Sequence, residues 1–265
     1  MLNATHLAPL SPPENRVMQR LKHVITEAQA RFAALLESFV KTRIADKAIY
    51  QRYLSMQYHL SKGIQRDFML AAAHSDLNKR RMLRAFLVDF ANERELHYLV
   101  AANDLHMLGL ELLQEPLDAT LWHTYFDKVV SERPFIRLGA ACCVENISGG
   151  IAQSWAKMAL AAQFLNRDNT KFIALREDGG PPGGELLLAV KEVTNLREHH
   201  MGDLVLGAKQ GAVFYLRLME WVLHENCLSA WTDRDRHDDK HTPALDDSKP
   251  IRAPGITENL ASQTS

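Results

Sequence analysis

The chain has 265 residues, 46% of them hydrophobic and 24% charged, enough to bury a sizeable core. Its 31 basic and 32 acidic residues leave a formal charge of −1, which excludes a nucleic-acid binder working by phosphate neutralisation. Its three cysteines, Cys142, Cys143 and Cys227, have no metal-ligand spacing and exclude a disulfide framework; with no signal-peptide pattern and no apolar run of membrane length, they point to a cytoplasmic protein.

Residues 1–13 read as irregular and end in Pro12-Pro13, a natural helix start. From Glu14 to about Thr42 apolar residues recur at helical spacing: Leu21, Ile25, Ala28, Phe32 and Leu36. Asp46 is placed to cap a second helix through Tyr58, and Gly63 breaks it. A third helix runs from Ile64 to about His74, and Ser75-Asp76 punctuates the chain. Leu77 to Leu113 is too long for one ordinary helix, so a kink or break is expected near Ala91-Asn92. After the turn Gln114-Glu115-Pro116 come a helix over 117–131 and another opened by Pro134 and running to about Asn166. Gly149-Gly150 inside the latter marks a break, a bend or a close backbone approach. Asp178 to Gly184 is a glycine- and proline-rich loop, followed by helices from Glu185 to about His200 and from about Gly202 to Trp231. Residues 232–265 hold five basic and seven acidic residues and three prolines, a solvated tail. No alternating run demands a strand. The expected fold is all-α, with one domain over 14–231 built from seven or eight helices and a polar tail over 232–265.

Chemistry-bearing residues fall in three places. Ala91 to Leu112 reads as one helix, with Glu93 and His97 one turn apart and sharing a face. The pair reads either as a solvated patch, given Arg94 and Glu95, or as ligands on the apolar stripe of Val100, Ala101, Leu105 and Leu108. Glu145 sits among Ala141, Cys142, Ile147 and Gly149, and a carboxylate there is a buried hydrogen-bond acceptor or a ligand. His199 and Asp203 repeat the four-residue spacing later in the chain, and His200 also shares a face with Asp203. Carboxylates and imidazoles from several helices are how a bundle builds an iron site. Cys142 and Cys143 read as small core residues, or as a nucleophile beside Glu145. Glu220 and His224 read as a solvated face.

His97 lies twelve residues before the glycine of Leu108-Gly109-Leu110. With His199-x-x-x-Asp203, Glu145 on the helix between, and the run Tyr53 to Gly63, this resembles the haem-oxygenase-like superfamily, which includes TenA, PqqC and the diiron oxidases of that fold. The resemblance covers about residues 15–225 and implies a seven-helix bundle with its site between the central helices. It implies iron held by His97, Glu145, His199 and Asp203, with Glu93 substituting for a family carboxylate from one turn away; the apolar neighbours of Glu145 lead us to expect it buried and facing His97. The diiron pattern has a histidine where this chain has Leu206 and a carboxylate where it has Phe90, so one iron ion is expected rather than two, with His200 as a replacement ligand. Haem would need a histidine on the first helix; His23 is there, but the rest does not favour haem. The implied activity is iron-dependent oxidation of a small carboxylic acid or amino-acid-like substrate in an apolar pocket. The partners are that substrate and dioxygen, with a homodimer as the possible assembly and no nucleic acid or membrane. The alternatives are a TenA-like aminopyrimidine hydrolase and a non-catalytic binding protein that has lost the metal site.

Overall fold

The computed structural model describes residues 12–42, 46–160, 163–178, 184–191 and 196–224. Among them the secondary structure is helical throughout: α1 (Pro12–Thr42), α2 (Lys47–Ser61), α3 (Ile64–Ala73), α4 (Arg81–Arg94), α5 (His97–Met107), α6 (Leu117–Glu132), α7 (Pro134–Leu160), α8 (Lys171–Asp178), α9 (Gly184–Lys191) and α10 (Glu198–His224). Eight of these have ten residues or more, as the sequence led us to expect; α8 and α9 have eight residues each. A 3-10 turn, Ser75–Leu77, joins α3 to α4. The proposed tail over 232–265 lies outside the described residues.

Local signals set most of the boundaries. The Asp46 side chain accepts a hydrogen bond from the Ile49 amide at 2.8 Å and starts α2. Gly63, at φ 90°, makes the left-handed turn into α3 that a side chain would resist. Gly109, at φ 63°, ends α5 in the same way. Asp104 is a longer-range cap: from α5 its Oδ2 accepts the Phe172 amide in the first turn of α8 at 2.8 Å.

α7 and α10 form the axis of the molecule. Ile136 and Ala140 of α7 meet Gly207 and Gly211 of α10, and Gly139 of α7 meets Leu204. A Cβ on Gly207 would lie 1.9 Å from the Ile136 carbonyl oxygen, and one on Gly139 would lie 2.1 Å from that of Leu204. The backbones therefore touch, with residues four apart on one helix meeting residues four apart on the other.

α7 is apolar nearly all round because it serves two cores. Ile136, Ala140, Cys143 and Ile147 join α1, α2, α5, α6 and α10, where Phe32 of α1 stacks on Tyr215 of α10. Phe135, Leu138, Ala141 and Cys142 join α3, α4, α9 and the start of α10. Between the two, Arg137 is buried; its Nε donates to Asp67 of α3 at 3.0 Å, and its guanidinium lies over the rings of Phe68, Trp122 and Phe126.

Several helix boundaries differ from those expected: α8 is an added helix, and α10 starts at Glu198 and runs unbroken through Gly202. The break falls at Glu95-Leu96, not Ala91-Asn92, so Glu93 closes α4 and His97 opens α5. α7 runs through Gly149-Gly150, so of the readings for that pair the break is excluded.

The glycine crossing gives a paired expectation. Gly207→Ala should lower stability by about 1–3 kcal/mol or more, since the new methyl meets backbone that cannot retract. Gly202→Ala, on the same helix with nothing within 4 Å of its Cβ position, should raise it by up to about 1 kcal/mol. Urea unfolding of both variants measures the contrast.

Candidate functional site

The residues singled out in the sequence do not gather around one point. The helix break turns Glu93 outward, its side chain 57% exposed and 3.4 Å from Arg94. Arg94 instead turns inward over the Phe90 ring, 3.5 Å from its centroid, and reaches Glu145 at 3.5 Å. Glu145 is largely buried, as expected, with its side chain 12% exposed, and it shares that guanidinium with Glu93. His97 is half-buried at the start of α5. The i, i+4 argument fails for Glu93 and His97 because the two belong to different helices.

His199 and Asp203 do share α10, yet have different partners. Asp203 is buried and takes a two-pronged bond from Arg133, its Oδ1 to Nη2 and its Oδ2 to Nε at 3.4 Å. That bond raises the Arg133 pKa above its ordinary value. His199 is exposed and leans edge-on to His200, with ring centroids 4.0 Å apart.

No three of Glu93, His97, Glu145, His199 and Asp203 come within ligating distance of one another. Guanidinium groups stand where an ion would be needed: Arg94 beside Glu93 and Glu145, Arg133 on Asp203. As arranged, the five do not fit the iron that the resemblance implies.

A different set does converge. Among the described residues, Asp76 of the 3-10 turn and His199 and His200 of the first turn of α10 have ligand atoms all within 4.8 Å of one another. His200 is 2% exposed and stacked on Phe135 at 4.4 Å. Burial, and then the neighbouring His199, lower its pKa below the ordinary imidazole value. In the sequence, Asp76 stood out only as punctuation, because nothing local ties it to residues more than a hundred positions later.

A cleft of about 380 Å³ opens between α1 and α10. Its walls are Arg16, Gln19, Arg20 and His23 from α1 and Lys209 from α10, over a floor of Val24 and Val205. Arg16, Arg20 and His23 stand four and seven residues apart, one helix face, a pattern legible in the sequence. No carboxylate lines it.

Cys142 and Cys143 are buried, free thiols. Burial pushes Cys143 up to about 12, and Cys142 is raised further by burial, by Cys143 and by Glu145. A thiolate nucleophile is disfavoured at both.

No family model and no curated protein sequence matches the chain. One solved structure does: a domain of unknown function with a heme oxygenase-like fold from Shewanella denitrificans, with a TM-score of 0.62 and 19% identity over 80% of this chain and 94% of that one. The chain has a haem-oxygenase-like fold. No described helix is long and apolar enough to cross a membrane.

The thiols give a direct check on the cysteine-hydrolase reading. In a Cys227→Ser variant at pH 8, Ellman's reagent should detect neither Cys142 nor Cys143 until urea unfolds the protein. Rapid labelling of the folded chain would restore a cysteine nucleophile.

Proposed function

We propose that this chain is a haem-oxygenase-like binding protein for a small organic anion, seated in the cleft between α1 and α10. The observation that carries this reading is the lining: two arginines, a lysine and a histidine around one space, with an apolar floor and no acid. Like charges so placed repel one another, and an anion relieves that repulsion. The volume suits a ligand-sized molecule. A carboxylate head among the cations and an apolar body over Val24 and Val205 fit the lining, and this is the carboxylic-acid class expected from the sequence.

The oxidative form of this reading, iron-dependent oxidation of such an acid by dioxygen, needs a metal centre at the bound acid. Glu93, His97, Glu145, His199 and Asp203 lack the arrangement for one, and the Asp76, His199 and His200 cluster shares no residue with the cleft, so the binding form leads. The hydrolase reading loses its nucleophile to burial. A second ligand is tested beside it: His23 stands in the cleft wall and would be the residue to hold the iron if the anion were haem.

Thermal unfolding with added dodecanoate, inorganic phosphate or hemin tests the proposal. A ligand at a hundred times its Kd adds about 2.7 kcal/mol, a rise of several degrees. Dodecanoate should stabilise the wild type, and Arg20→Glu and Lys209→Glu should remove the effect. A Soret shift with hemin that His23→Ala abolishes would identify the ligand class as haem. Stabilisation by none of the three, or stabilisation that both charge reversals leave intact, would overturn the proposal.

A further inference from the structure

We propose that Asp76, His199 and His200 form a binding site for one divalent transition-metal ion of the zinc or iron(II) class. The site is distinct from the α1–α10 cleft, and neither proposal depends on the other.

The first observation is geometric. Two ligands held about 2.1 Å from one ion at tetrahedral or octahedral angles stand roughly 3.0–3.4 Å apart. His200 Nε2 lies 3.3 Å from Asp76 Oδ2. That is an ion-pair contact short of ideal hydrogen-bond geometry, and it is also the spacing of two ligands on one ion. The other ring nitrogen, Nδ1, is buried without a hydrogen-bond partner among the described residues. His199 completes the set, its ligand atom within 4.8 Å of both others.

The second observation is energetic. His200 is 2% exposed, so both ring nitrogens are withdrawn from water. A buried ring nitrogen that is not fully hydrogen-bonded is destabilising, and a metal bond at Nε2 would offset part of that. Stacking on Phe135 fixes the ring plane, so the lone pair is aimed before any ion arrives.

Neighbouring groups hold the turn, although the Arg80 guanidinium also sets a positive charge near His200 that an ion would have to outweigh. His74 Nδ1 accepts the Asp76 amide at 3.1 Å and so holds the turn. Arg80 donates to the Asp76 main-chain carbonyl and lies over the Phe135 ring, 5.5 Å from its centroid. Two imidazoles and one carboxylate leave coordination positions open for water or a ligand. The ion would join the α3–α4 turn to the start of α10.

The test uses the full-length, tag-free chain, stripped with a chelator and titrated with Zn(II) by calorimetry and with Co(II) by visible absorption. The wild type should take up one equivalent and gain thermal stability. Asp76→Asn and His199→Gln should each weaken binding at least tenfold; both residues have solvent access, and circular dichroism checks that the variants fold. His106→Gln, on an exposed position of α5, should bind like the wild type. Absence of stoichiometric uptake would overturn the proposal. So would uptake that Asp76→Asn and His199→Gln leave unchanged, and loss of uptake in Glu145→Gln with retention in Asp76→Asn would move the metal to the sequence-expected set.

Discussion

The backbone contact between α7 and α10 is the constraint on which the rest depends. Glycines at 139, 207 and 211 let the two helices meet without side chains between them. That closeness gives α7 two apolar sides and makes it the wall shared by both cores. It also fixes where the start of α10 comes to rest: against Phe135, beside the 3-10 turn that carries Asp76. The α1–α10 cleft depends on the same helix, since Val205 and Lys209 flank Gly207 on other faces.

Arginine is the second organising element. Asp67, Asp118, Asp203 and Glu145 are carboxylates withdrawn from water, and each is met by a guanidinium: Arg137, Arg217, Arg133 and Arg94. A buried carboxylate must be paired or hydrogen-bonded, and these four are paired by arginines of the same chain, whereas Asp104 accepts a backbone amide. In sequence, a carboxylate awaiting a metal and one awaiting an arginine look alike. The arginine that decides the matter lies 51 positions from Glu145 and 70 from Asp203.

That contrast explains what the sequence disclosed. The all-α class, the start of α1 near Pro12-Pro13, the Asp46 cap, the Gly63 break and the opening of α7 at Pro134 rest on local signals that the structure repeats. The burial of Glu145 was legible from its apolar neighbours. The break at Glu95-Leu96 was not, because its visible correlate is Arg94 turning inward to Phe90 and Glu145, a tertiary contact. α8 was missed for a similar reason: its first turn is capped from α5 by Asp104, 68 positions earlier. Asp76, His199 and His200 form a set only after both cores close.

The α7–α10 crossing also carries a consequence for synthesis. Ile136 and its partner Gly207 are 71 positions apart (207 − 136), and α1 packs on α10 from farther still. At about 5–20 residues per second, roughly 4–14 s pass between the appearance of the two contact points. Throughout that interval the apolar faces of α1 and α7 have no α10 to cover them. The nascent chain therefore presents these apolar surfaces before the helix that covers them.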